Sequence, residues 1–195
     1  MEKQMKIIGF IGSPHKEGNT AWIVNKILEG AKEEGAETQS FNFSDLDIKP
    51  CQGCFACHNG DGGCVISDDM QKLYDNLKDA DALVLGSPTY MGQMSAQAKI
   101  FVDRLSATNH PRFYPKFKEH AAIKLILVFD QGNPDSSLFQ TYYDYTKKMF
   151  QMLEFDVKDV VVVTGMRNGP AHEREELPTA MKDIGSSLAL DKIRP

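Results

Sequence analysis

Met5-Lys6-Ile7-Ile8-Gly9-Phe10-Ile11-Gly12-Ser13-Pro14-His15-Lys16-Glu17-Gly18-Asn19-Thr20 is the stretch that decides the fold. Its first half, Met5 to Gly12, is a β-branched run of strand length, and from Thr20 to Glu34 the residues Ile23, Ile27, Leu28 and Ala31 recur on one helical face. Strand, loop and helix in that order aim backbone N–H groups at whatever sits on the helix N-terminus. The macrodipole there acts as roughly half a positive charge, so an anion is favoured. Ser13, Asn19 and Thr20 offer neutral donors, and Gly18 allows a tight backbone approach. The plainer alternative is that Ser13 and Asn19 only cap the turn and the helix.

The residues narrow the anion. A Walker A loop has four residues between its glycines and then Lys with Ser or Thr, whereas five separate Gly12 from Gly18 and Asn19-Thr20 follow. The dinucleotide fingerprint asks for three glycines in G-x-G-x-x-G order, and Gly9 with Gly12 gives only a partial match. A receiver domain would end its first strand near clustered acids; this one ends in Gly-Ser. A single terminal phosphate is the anion that remains.

Outward from this unit the pattern repeats. Ala36 to Phe43 predicts a second strand, Ser67 or Asp68 an N-cap for a helix over Asp69 to Lys78, and Ala82 to Gly86 a third strand apolar on both faces. A helix over Met94 to Ala107, an irregular aromatic excursion over 108–120, and a fourth strand at Ala122 to Phe129 follow. Ser137 to Leu153 predicts a helix, Val160 to Val163 the fifth strand, and Leu177, Met181, Ile184 and Leu188 mark the closing helix. Alternating strands and helices predict a single α/β domain over 1–195: a flavodoxin-like, doubly wound, five-stranded parallel sheet of order 2-1-3-4-5 with helices on both faces. In such a sheet ligands bind at the carboxyl ends of the strands near the switch point, so the loops after strands one, three and four form the expected site.

Hydrophobic content of 42% and charged content of 25% are those of a globular chain, and a net charge of −5 offers no attraction to nucleic acid or anionic lipid. The N-terminal apolar run is too short for a signal peptide, and stretches such as Leu125 to Phe129 are strand-sized rather than membrane-spanning. The reading is a cytoplasmic protein with small-molecule or protein partners, no nucleic acid and no membrane.

All four cysteines fall in a cysteine-rich loop at 50–66, with Cys51, Cys54, Cys57 and Cys64 spaced C-x2-C-x2-C-x6-C. Three thiolates at two-residue gaps can wrap one side of a cubane cluster, and Gly60, Gly62 and Gly63 give the chain freedom to return the fourth. A four-cysteine zinc site, which His58 could join, usually separates two C-x2-C pairs more widely. Reduced thiols that merely shape a loop, with Cys64 packed on strand residues, are the third alternative.

Together these segments resemble the NAD(P)H-dependent FMN reductase family, closest to its iron-sulfur flavoprotein branch. The resemblance covers most of the chain and rests on GSPHKEGNT after the first strand, the cysteine run into Cys64-Val65-Ile66-Ser67-Asp68-Asp69-Met70, the segment Gly86-Ser87-Pro88-Thr89-Tyr90-Met91-Gly92, and Lys99 with Asp103-Arg104. It implies that Ser13, His15, Gly18, Asn19 and Thr20 hold the phosphate of FMN, while Pro88, Thr89, Tyr90, Met91 and Gly92, with Gly132 in the third loop, line the ribityl chain and isoalloxazine. It further implies a 4Fe-4S cluster on Cys51, Cys54, Cys57 and Cys64, and a homodimer or homotetramer with flavins near subunit interfaces. Tyr90 and Met91 read otherwise as core or interface residues, Trp22 as an interface or packing residue, and Lys99, Asp103 and Arg104 as a helix-surface ion network. One departure stands out: Asp130-Gln131-Gly132-Asn133-Pro134-Asp135 is more acidic and less glycine-rich than the family's usual third flavin loop, the region expected to dock nicotinamide.

The function implied is an FMN-dependent oxidoreductase passing electrons between donors and acceptors such as NAD(P)H, ferredoxin or quinone, with the cluster relaying single electrons. No catalytic acid or base is then required, because the flavin performs the redox chemistry and the protein tunes it. Two rivals are a cluster-free NAD(P)H-dependent FMN or quinone reductase and a non-enzymatic, zinc-stabilised interaction module.

Overall fold

The computed structural model describes residues 4–59, 63–109 and 122–191. Its elements are β1 (Lys6–Ile11), α1 (Asn19–Glu33), β2 (Glu37–Asn42), α2 (Met70–Asp79), β3 (Ala82–Tyr90), β4 (Gln93–Met94), α3 (Ala96–Arg104), β5 (Lys124–Asp130), α4 (Gln140–Met152), β6 (Asp156–Val163) and α5 (Leu177–Leu190). The sheet runs β2-β1-β3-β5-β6, with the short β4 antiparallel to β3 off that path. The five long strands are parallel and in the order expected.

Side chains alternate across the strands, so each strand feeds two cores. Ile8, Phe10, Leu83, Leu85, Leu125, Leu127 and Phe129 meet α2, α3 and α4 through Leu73, Phe101 and Phe150. Ile7, Ile11, Ala82, Val84, Ile126 and Val128 meet α1 and α5 through Ile23, Ile27, Met181 and Leu188. Trp22 is half-buried and packs against this second core. Every residue of β5 is buried, as an inner parallel strand requires. Among the described residues no helix is long and apolar enough to cross a membrane.

Several boundaries differ from the sequence reading: α3 spans Ala96–Arg104 rather than Met94 to Ala107, α4 begins at Gln140 rather than Ser137, and β5 spans Lys124–Asp130 rather than Ala122 to Phe129. β3 continues past Gly86 through Tyr90 and turns back into β4 at Met91 (φ 50°) and Gly92 (φ 79°), the paired positive φ values of a two-residue hairpin turn. β6 begins at Asp156 rather than Val160, with a register irregularity against Leu125 and Ile126. α2 begins at Met70, one residue late, and the Oδ1 of Asp68 accepts from the Met70 N–H at 3.0 Å. Of the aromatic excursion, Thr108 and Asn109 finish a 3-10 turn over Leu105–Asn109; positions 110–120 lie outside the described residues.

Candidate functional site

The loop after β1 is wedged between β3 and the start of α3. The Gly12 N–H donates to the Gly86 carbonyl at 2.8 Å, and Ser95, the N-cap of α3, donates its hydroxyl to the Gly12 carbonyl. A Cβ on Gly12 would stand 2.7 Å from the Cβ of Ala98, so the close approach needs glycine. Beyond it the loop folds on itself: the buried Ser13 hydroxyl accepts from the His15 N–H at 3.1 Å, and the Gly18 N–H donates to the His15 carbonyl at 3.1 Å. His15 itself is exposed.

Gly18 is the N-cap of α1, no side chain caps the helix, and its first turn carries no acid. The N–H groups of Asn19, Thr20 and Ala21 have no carbonyl four residues back within the helix, so this end is open to an anion. The side chains of the first two are engaged elsewhere. Asn19 Oδ1 accepts from the Ala171 N–H at 2.8 Å, and Thr20 donates its hydroxyl to Asp130 Oδ1 at 2.5 Å.

The ends of β3 and β5 reach the same edge and are tied together by α4. Tyr143 donates its phenol to Gln131 Oε1 at 2.6 Å and lies 3.0 Å from the Thr89 hydroxyl. The buried Gln131 amide in turn donates to the carbonyls of Asn133 at 3.0 Å and Asp135 at 2.7 Å, which shapes the third loop. Tyr142 accepts from the Met94 N–H at 3.0 Å, anchoring the hairpin. The Ser87 hydroxyl accepts from the Ser95 N–H at 2.9 Å beside Pro88. At the tip, Tyr90 is 46% exposed and Met91 fully so, and a Cβ on Gly132 would meet the Arg167 side chain at 2.8 Å. Thus Ser13, Gly18, Asn19 and Thr20, Pro88 to Gly92, and Gly132 share one sheet edge.

Asp130 and Gln131, which the sequence marks only as the acidic start of the third loop, belong to this edge, and so do Tyr143 and Ser95, which it does not mark. The available signal was weak: a polar pair directly after an apolar strand. Asp130 is buried, and that burial pushes its carboxyl above the ordinary range against the pull of the Thr20 hydrogen bond. The Tyr90 and Tyr143 phenols are raised first by burial, with the nearby Asp130 adding to the effect.

The cysteine loop hangs from a closed neck. Asp47 and Asp69 exchange bonds of 2.8 and 3.1 Å, and Lys49 N–H donates to Asp68 Oδ2 at 2.9 Å. Arg104 locks this neck to α3, donating to the Lys49 carbonyl at 2.8 Å and to Asp68 at 2.7 and 3.2 Å. Arg104 therefore does not join the helix-surface network; Lys99 and Asp103 pair on the surface, whereas the Arg104 and Asp68 side chains are 1% and 0% exposed. The reason is angular, because one residue beyond Asp103 the helix has turned by about 100°.

Cys51 and Cys54 are exposed, while Cys57 and Cys64 are half-buried against the core. Burial, then the neighbouring Cys64, Cys51 and Cys54, push the Cys57 thiol up. Gly63 takes a positive φ of 87°, as do Gly53 at 62° and Phe55 at 57°; Gly60 and Gly62 lie outside the described residues. His58 turns to Ser106, 2.9 Å away. Four thiols suit a soft metal or an iron-sulfur cluster. Among the described residues, however, no three His, Cys, Asp or Glu side chains converge to hold an ion.

Residues 5–128 match the model of the NADPH-dependent FMN reductase family. The chain belongs to that family. Within it, an iron-sulfur flavoprotein of Methanocaldococcus jannaschii is 44% identical over 100 residues, 51% of each chain. An iron-sulfur flavoprotein of Methanosarcina thermophila is 40% identical over 121 residues, 62% of this chain and 63% of that protein. The chain thus spans about half to two thirds of the length of these relatives. In fold it is similar to an NAD(P)H:quinone oxidoreductase from Methanothermobacter marburgensis, with a TM-score of 0.70 at 17% identity over 95% of this chain and 100% of that one.

Proposed function

We propose that this family member binds FMN at the shared edge of β1, β3 and β5 and works as an oxidoreductase. The observation that carries the reading is the uncapped, acid-free N-terminus of α1 facing the same edge as the β3 hairpin and the Gln131 loop. The N–H groups of Asn19 and Thr20, with Ser13 and Gly18 shaping the loop, hold the phosphate. Pro88 to Gly92 and Gly132 border the ribityl chain and the ring, and the Tyr143 relay fixes the distance between them. FMN supplies the exchange of one and two electrons when bound; the chain binds, orients and shields it.

Electron partners follow from this chemistry: NAD(P)H or ferredoxin as donor, and a quinone or a protein as acceptor. Cys51, Cys54, Cys57 and Cys64 would hold a 4Fe-4S cluster, a reading supported by the four thiols on one loop and by the iron-sulfur flavoprotein relatives. The lack of convergence among the described thiols favours the second reading, a cluster-free flavin or quinone reductase. The exposed Tyr90 and Met91 fit the homodimer or homotetramer implied by the family.

The test is anaerobic purification with absorption spectroscopy and iron and acid-labile sulfide assays, followed by addition of NADH, NADPH or reduced ferredoxin. Bound FMN with iron and sulfide supports the first reading. FMN without iron, bleached rapidly by NAD(P)H, supports the second. A colourless protein that fails to take up FMN, or one with stoichiometric zinc alone, overturns both.

A further inference from the structure

Thr20 has one hydroxyl proton, and Asp130 Oδ1 receives it at 2.5 Å. Thr20 is also the second residue of α1, at the open helix end assigned above to the FMN phosphate. One proton cannot serve both acceptors. Asp130 lies at the carboxyl end of β5 in register with Pro88 and Val163, and in strand alternation it shares the α1 face with Ile126 and Val128. An ionised Asp130 would hold the Thr20 proton and stand as a second anion near the phosphate.

We propose that Asp130 takes up a proton when the FMN phosphate docks, acting through Thr20 as a positioning residue that couples FMN affinity to pH. A solvent proton goes to Asp130 Oδ1, and the protonated carboxyl donates to Thr20 Oγ1. The Thr20 hydroxyl proton then turns to a phosphate oxygen. One proton is taken up per FMN, and only hydrogen bonds change otherwise.

The surroundings agree. From α1 the Thr20 hydroxyl bonds the carboxyl; β3 presents the Tyr90 phenol and α4 the Tyr143 phenol, both kept neutral further up the pH scale by burial. The loop after β6 brings Arg167 across Gly132, two residues away. In the phosphate loop, Lys16 is paired with Asp45 and His15 is exposed. Among the described residues no Lys or Arg forms an ion pair with Asp130, and burial raises its carboxyl above the ordinary value, which lowers the cost of taking up a proton.

The inference rests on the phosphate placement proposed above, and the experiment separates the two. FMN and riboflavin, which lacks the phosphate, are titrated by fluorescence quenching onto the flavin-free full chain between pH 7 and 9, where the phosphate is a dianion throughout. The sign is fixed by linkage: the complex holds more protons, so FMN binding weakens as pH rises, by up to about tenfold per unit for one proton. Riboflavin affinity stays flat. In Asp130→Asn the amide donates permanently to Thr20, so the slope disappears and FMN binds tightly across the range. A slope of equal size in Asp130→Asn, or an equal slope for FMN and riboflavin in the wild type, overturns the coupling. No preference for FMN over riboflavin at any pH overturns the phosphate placement, and the coupling with it. The wild-type comparison decides the matter even if the variant does not fold.

Discussion

Replacing Arg104 with Met tests how the cysteine loop is held. The substitution keeps a long apolar stem but removes the guanidinium that bonds Asp68 twice and the Lys49 carbonyl once. Asp68, whose side chain is 0% exposed, then keeps only the Lys49 and Met70 N–H groups. Stranding one member of a buried pair costs about 3–5 kcal/mol, and at roughly 2–4 °C per kcal/mol for a domain of this size the melting point falls by roughly 6–20 °C at pH 7. The pH dependence has a definite sign. Burial alone would raise the Asp68 carboxyl, but Arg104, Lys49 and Met70 together hold it below its ordinary value. Its stabilising contribution is therefore complete above the unfolded-state pKa and is lost as pH falls through the lower folded value. In Arg104→Met the carboxyl rises, so the deficit against wild type shrinks in acid. Urea denaturation followed by circular dichroism at pH 7 and near pH 4 reads both effects. Arg104→Met combined with Asp68→Asn, which leaves no stranded charge and keeps a side-chain acceptor for the Lys49 or Met70 N–H, recovers part of the loss. A loss under about 1 kcal/mol at pH 7, or one that grows in acid, would refute the reasoning.

Two further outcomes follow from the packing. A Cβ on Gly185 would stand 1.8 Å from the Ile27 carbonyl oxygen, so Gly185→Ala must push α5 off α1 and cost about 2–3 kcal/mol, measured as a lower urea midpoint with an unchanged slope. Tyr143→Phe keeps the 4.6 Å stacking on Phe129 but leaves Gln131 Oε1 without its donor, costing about 1–3 kcal/mol. In a double-mutant cycle with Thr89→Val the two losses fall short of adding, because both touch the same relay; strict additivity would contradict it.

Strand order and helix placement were legible because both periodicities are strong. Ile8, Phe10 and Ile7, Ile11 alternate between two cores, and Ile23, Ile27 and Leu28 share one helical face. The end of β3 was hidden by Pro88, which reads as a strand breaker although it stands where the strand leaves the central ladder beside Asp130. Arg104 read as surface because its neighbours Lys99 and Asp103 form a local pair; its true partner, Asp68, is 36 residues away and leaves no local pattern. Asp130 reads as a loop residue because a charged residue after five apolar positions ordinarily ends a strand, whereas here α1 supplies a hydroxyl that donates to it. The cysteine spacing was plain in the sequence, but spacing says which thiols can meet, not that they do.

FMN placement at the edge of β1, β3 and β5 underlies every functional statement above. Two-dimensional 15N correlation spectra of the flavin-free chain, recorded during FMN titration, test it most directly. The largest amide shifts are expected at Gly18, Asn19 and Thr20 from the phosphate, and at Tyr90, Met91, Gly92 and Gly132 from the ring, with the first group absent when riboflavin replaces FMN. Shifts confined to other residues, or identical for the two flavins, would contradict it.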